Sequence, residues 1–146
     1  SAQNGLQHKL GCILFQLPPQ LVYSEELLQR IINSLNPAFK NVIEFRHASW
    51  WNKFVFAELK KNKIIFSGIS YPNLPDDFIQ TTANLYYRMH GVPILYKSTY
   101  SESFLETLTW ELHTRKIKEA WIYFNNTWGT AAIENAKFLQ KYLSNS

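Results

Sequence analysis

Apolar residues fall along this chain in short runs separated by stretches with helical spacing, and the two patterns alternate. The runs Cys12 to Leu17, Asn41 to Arg46, Lys63 to Ile69, Asn84 to Met89 and Glu119 to Asn125 are rich in β-branched or aromatic residues. Each is apolar on both faces, as expected of parallel strands covered by helices. Between the first two, Leu27, Leu28, Ile31, Ile32 and Leu35 recur at helical spacing behind Ser24, a residue suited to an N-cap, with Glu25 and Glu26 in the first turn. Ser49 or Asn52 is expected to start a second helix through Phe56 and Leu59, ending at Lys60-Lys61-Asn62. Ser70 to Thr82, punctuated by Pro72 and Pro75, reads as loop with at most a short helix after Pro75. Ser103 with Glu106 has the spacing of a capping box for a helix through Leu108 and Leu112. A last helix is expected to carry Ala132, Ala136, Leu139 and Leu143.

Such alternation predicts an α/β fold with a mainly parallel sheet. Parallel sheets that bind ligands do so beyond the carboxyl ends of their strands. The polar clusters of this chain fall at those ends. They are Gln16 before Pro18-Pro19, Glu44 to His47, Ser67 to Ser70, Arg88 to His90, and Asn125 to Thr127. Their recurrence at successive strand ends predicts one shared site.

Composition narrows the class. The chain has 146 residues, enough for one domain with a core, and that single domain is expected to span residues 1–146. Hydrophobic residues make up 46% and charged residues 18%, which excludes a disordered chain. The lone cysteine, Cys12, excludes an intramolecular disulfide and a cysteine-rich metal site, and accords with a reducing, cytoplasmic setting. No apolar run approaches the roughly 20 residues that span a bilayer, so no membrane partner is expected. The start Ser1-Ala2 lacks Met; residues 1–10 are expected to be disordered or introduced by cloning, with sequence missing upstream. Net charge is +4, much of it in Lys60-Lys61-Asn62-Lys63 and Arg115-Lys116-Ile117-Lys118. Both runs sit at expected helix ends, where cations complement the helix dipole, and that reading is preferred to a nucleic-acid patch.

The strand-end residues carry the chemistry. Side chains alternate along a strand, so Glu44 and Arg46 share one face, as do Tyr86, Arg88 and His90, while Phe45, Tyr87 and Met89 pack under helices. Directed to a common pocket, two arginines and two histidines exceed what one carboxylate balances. Guanidinium forks suit phosphate or carboxylate, so the expected ligand is a small anion held by Arg46 and Arg88. His90 would move a proton with Glu44 setting its charge, and His47 is the other candidate acid or base. Gln16, Asn125 and Asn126 would orient hydroxyl or carbonyl groups. No metal site is assigned, because the strand ends offer one carboxylate and the arginines repel a cation. Metal-assisted hydrolysis and a non-catalytic nucleic-acid-binding module are the alternatives. There is no Gly-x-Ser-x-Gly elbow and no phosphate-binding Gly-rich loop.

Four segments carry a family resemblance: Leu14-Phe15-Gln16-Leu17-Pro18-Pro19, Glu44-Phe45-Arg46-His47-Ala48-Ser49-Trp50, Tyr87-Arg88-Met89-His90-Gly91 and Tyr123-Phe124-Asn125-Asn126. In order and spacing the chain resembles the YecE-like family, the domain of unknown function numbered 72. Ala48 stands where the family usually has Pro, and Trp128 is a smaller departure. The resemblance implies a TIM-barrel-like fold, here a partial barrel of about five β-α units, with the motif residues at its carboxyl-end face. It implies no established reaction and names no cofactor. It also implies that the family's first strand and further β-α units have no counterpart here. Self-association, or a partner over the open sheet edges, is therefore expected.

Overall fold

The computed structural model describes residues 11–90 and 101–124. They fall into two compact units. The first holds the described residues up to Ser67 together with Ile79–Thr82, and the second holds Gly68–Phe78 and the described residues from Ala83 onward.

The first unit is built from β1 (Ile13–Gln16), α1 (Glu25–Ser34), β2 (Asn41–Glu44), a 3-10 turn (Ala48–Trp50), α2 (Lys53–Lys61) and β3 (Ile65–Phe66). Its strands pair in parallel in the order β1-β2-β3, with Gln16 level with Glu44 and Ile43 level with Phe66. β2 is buried along its whole length, which is why its sequence shows no polar face. Ser24 Oγ accepts the Leu27 N–H at 3.1 Å to start α1, and Asn52 Oδ1 accepts the Val55 N–H at 3.0 Å to start α2. Leu28 and Ile32 of α1 and Val55 and Leu59 of α2 meet Ile43, Phe45, Trp50, Ile64 and Phe66 in one core. Burying each such side chain contributes about 2 kcal/mol. Gln29 Nε2 also donates to Glu58 Oε2 at 3.2 Å, tying α1 to α2.

The second unit is built from β4 (Gly68–Ser70), β5 (Asn84–Met89), α3 (Glu102–Thr114) and β6 (Glu119–Phe124). These strands are again parallel, in the order β4-β5-β6. Leu85, Tyr87 and Met89 of β5 pack against Leu105, Leu108 and Leu112 of α3. Alternate residues of β5 therefore face the helix, as the period of a strand requires. Ser101, not Ser103, caps α3: its Oγ accepts the Phe104 N–H at 3.2 Å, and the Leu105 N–H closes the first turn on Ser101 O. Ser103 lies inside the helix, so the expected capping box with Glu106 does not form.

Both basic runs stand at helix C-termini. Lys63 and Lys116 take left-handed backbone angles, φ 56° and 54°. The Ile64 N–H reaches Leu59 O and the Lys63 N–H reaches Lys60 O, and the same pair of bonds joins Ile117 to Leu112 and Lys116 to His113. These are Schellman ends, each with an apolar residue just beyond the cap packed on the helix it closes.

Strands and helices stand where the alternation predicts them, and every strand pair among the described residues is parallel. The run Lys63 to Ile69 is the exception, since it divides into β3 and β4, members of different sheets, at Ser67. Residues 71–83 carry no helix or strand. The expectations for residues 1–10 and for the helix from Ala132 to Leu143 fall outside the described residues. Among the described residues no helix is long and apolar enough to cross a membrane.

Candidate functional site

At the end of β2, Glu44 is completely buried and its Oε1 accepts from Arg46 Nε at 2.9 Å, while the Arg46 side chain is 19% exposed. A carboxylate is buried only where its charge is met. Here the backbone supplies the meeting: Glu44 and Arg46 are two residues apart, so both point to the same side of the strand end. Phe45 between them points the other way and stacks on Trp50, ring centroids 4.4 Å apart and planes 16° from parallel. Gln16 ends β1 level with Glu44 and is exposed, and the Leu17 N–H continues the pairing to Glu44 O at 3.0 Å. In this unit the fold thus brings Gln16, Glu44 and Arg46 to one strand-end row.

His47 is put to a structural use. Its Nδ1 accepts the Ser49 N–H at 3.2 Å, capping the 3-10 turn, and lies 2.8 Å from Ser49 Oγ. Ser49 Oγ accepts the Tyr23 N–H at 2.9 Å, and Trp50 Nε1–H donates to Leu21 O at 2.7 Å. The Glu44–Trp50 segment therefore binds the loop that follows β1 to the loop that follows β2. Periodicity gives no sign of this, because the bonds join residues 26 and 29 positions apart.

In the second unit, Arg88 and His90 alternate along the end of β5 with Tyr86. His90 is 1% exposed, its N–H donates to Ser70 O at 2.9 Å, and its ring meets Tyr71 edge-on at 5.4 Å. Arg88 is half-buried, level with Ile69 on β4 and Tyr123 on β6. Tyr86 meets the Tyr123 ring at 5.2 Å. The fold thus presents a guanidinium and an imidazole on the face of the sheet away from α3. Asn125 and Asn126 lie outside the described residues.

A pocket of about 270 Å³ opens in the second unit on the opposite side of β5, lined by Asp76, Asp77, Phe78, Tyr87, Phe104, Thr107, Leu108 and Glu111. None of the strand-end candidates lines it. Sequence reasoning passes over it because its walls come from a loop and a helix some thirty residues apart. Its electrostatics are partly settled internally: Arg115 Nε donates to Glu111 Oε2 at 2.6 Å and its guanidinium lies over the Phe78 ring at 5.0 Å. Among the described residues no group of three or more His, Cys, Asp and Glu side chains could hold a metal ion.

The model of a family described as "Protein of unknown function DUF72" matches residues 1–146. No curated protein matches. The crystal structure of a DUF72 family protein from Thermotoga maritima is similar at a TM-score of 0.83 and 27% identity, over 98% of this chain and 61% of that one. Two structures of a DUF72 family protein from Enterococcus faecalis are similar in fold, with TM-scores of 0.82 and 0.80. Their identities to this chain are 22% and 25%, over 99% of it and 62% and 65% of their own lengths. This chain spans about three fifths of the length of these solved relatives.

Proposed function

The chain belongs to DUF72, a family of proteins of unknown function, and we propose that it is an enzyme, or the remnant of one, that binds a small phosphate- or carboxylate-bearing substrate at the carboxyl ends of its strands. The reading includes a TIM-barrel-like arrangement of these β-α units, here a partial barrel, in a cytoplasmic protein. The observation that carries it is the Glu44–Arg46 pair. A guanidinium has its N–H donors in one plane, so anchoring Nε on a buried carboxylate fixes the direction of the rest. Arg46 keeps 19% of its surface in contact with solvent, where an anion can reach it. In the first unit the reading assigns anion binding to Arg46, its placement to Glu44, and a hydrogen bond to substrate to Gln16. In the second it assigns anion binding to Arg88 and proton transfer to His90, with Asn125 and Asn126 as orienting groups. His47 receives no step, because its Nδ1 is committed to Ser49.

Thermal denaturation with inorganic phosphate and a panel of phosphate- and carboxylate-bearing metabolites tests the proposal on the full-length protein. A ligand at about 100 times its Kd stabilises by about 2.7 kcal/mol, a shift of several degrees for a domain of this size. Arg46→Lys keeps the charge but loses the fork, and Arg88→Ala removes the second guanidinium; each is expected to weaken the shift by about tenfold in ligand concentration. If no anion moves the melting temperature, or neither variant changes the response, the proposal fails.

A further inference from the structure

His47 ties its own ionisation to the placement of a loop. The Ser49 N–H can only donate, so the Nδ1 that accepts it carries a lone pair, and the neutral ring holds its proton on Nε2. The Ser49 hydroxyl, 2.8 Å from Nδ1, donates to it and accepts the Tyr23 N–H. One residue on, Trp50 Nε1–H holds Leu21 O. Among the described residues, two bonds that hold the Pro18–Tyr23 loop thus come from the turn that His47 caps, beside the packing of Leu21 and Tyr23 on the core. An imidazolium donates from both nitrogens. With Nδ1 protonated, two donors would face each other at the cap, and the Ser49 hydroxyl would have to turn round.

We propose that His47 is a pH-sensitive latch: neutral, it caps the Ala48–Trp50 turn and holds the Pro18–Tyr23 loop; protonated, it releases them. Among the described residues, ionisable groups next to the cluster include Arg46, paired to Glu44, and the Tyr23 phenol on the loop, on which Glu25 of α1 and Glu58 of α2 act. Partial burial, and then the two carboxylates, hold the Tyr23 phenol above its usual range, so it stays uncharged where imidazoles change charge. The latched form requires the neutral ring, so the latch tightens as pH rises and loosens as it falls. The loop begins two residues after Gln16, which gives the release a place next to the strand ends. The inference does not depend on the anion proposal.

Hydrogen exchange of the Trp50 indole N–H in the full chain, divided by its intrinsic rate at each pH, reads the latch directly. As pH falls and the ring takes up a proton, protection is expected to fall roughly fivefold to tenfold, the equivalent of a lost cap. In His47→Asn, whose amide oxygen accepts whatever the pH, protection is expected to stay level. Wild-type protection indifferent to pH would overturn the proposal, as would an equal fall in the Asn variant. Should that variant not fold, the ring nitrogens of the wild type decide: imidazole ¹⁵N shifts showing the Nε2–H tautomer at high pH support the latch, and the Nδ1–H tautomer overturns it.

Discussion

Glu44 and Arg46 show how burial sorts charge at the level of single side chains. Replacing a buried ion pair with apolar groups is often neutral or even stabilising, so the pair is weak evidence for stability as such. Its effect is directional: a fully buried carboxylate orients a guanidinium that still reaches solvent. The sequence marks these residues by their oddity, charges closing an apolar run, and it marks His47 equally. Only the geometry shows that Arg46 stands on a buried carboxylate while His47 Nδ1 caps a turn. Gly68 carries no such mark. It is level with Tyr87 across the β4–β5 pairing, and a Cβ there would stand 2.6 Å from Tyr87 Cε2. That ring is 2% exposed and stacked on Phe78 at 5.9 Å, so it can make room only by giving up this packing. Gly68→Ala is therefore expected to cost about 1 to 3 kcal/mol through overpacking. Urea denaturation beside the exposed control Ser103→Ala checks it; equal stabilities would show that the ring yields.

At the scale of elements, what the sequence makes legible is local. The runs at Asn41 and Asn84 and the helical spacing behind Ser24 place their elements because the information lies within one strand or a few turns. The basic runs are legible as helix ends for the same reason. The start of α3 is misplaced by two residues, since the spacing points to Ser103 as the cap and the chain uses Ser101. What escapes is non-local. Thr81 Oγ1 accepts the Phe66 N–H at 3.0 Å and donates to Ile64 O at 2.6 Å, from 15 and 17 residues away. Strand groups alternate in direction, and Ser67 N–H points to Ile43 O, so Phe66 N–H and Ile64 O face away from β2. A single hydroxyl thus seals the outer edge of β3, where backbone groups are buried and must be paired. Thr81→Val keeps the shape and removes both bonds, at an expected cost of about 2 to 4 kcal/mol. Thr81→Ser keeps them and should lose less than half of that. Denaturant midpoints of the two variants test it, and a valine variant no weaker than the serine one would refute the sealing role.

For the whole molecule the question is what covers the remaining outer strands. β3 has Thr81 on its outer edge, and β4, buried at every position, pairs with β5 alone; β1 in the first unit and β6 in the second also each pair with one strand among the described residues. Both carry large exposed apolar groups, Phe15 at 37% and Tyr123 at 44%, and β6 begins with exposed Glu119 and Ala120. Open edges of this kind invite pairing with another chain unless charge or covering protects them. The solved relatives are longer: this chain matches 61% of the Thermotoga maritima protein and 62% of the Enterococcus faecalis one. The 146-residue chain by itself is therefore expected to self-associate as its concentration rises. Sedimentation velocity from low micromolar to several hundred micromolar should show a growing fraction of dimer or larger species. Lysine at the exposed positions, Phe15→Lys on β1 or Tyr123→Lys on β6, places a charge where an incoming strand would lie and should shift the distribution back toward monomer. The strand whose lysine has the larger effect is the one used in association. A wild-type chain that stays monomeric throughout that range would mean that neither outer strand is open in solution.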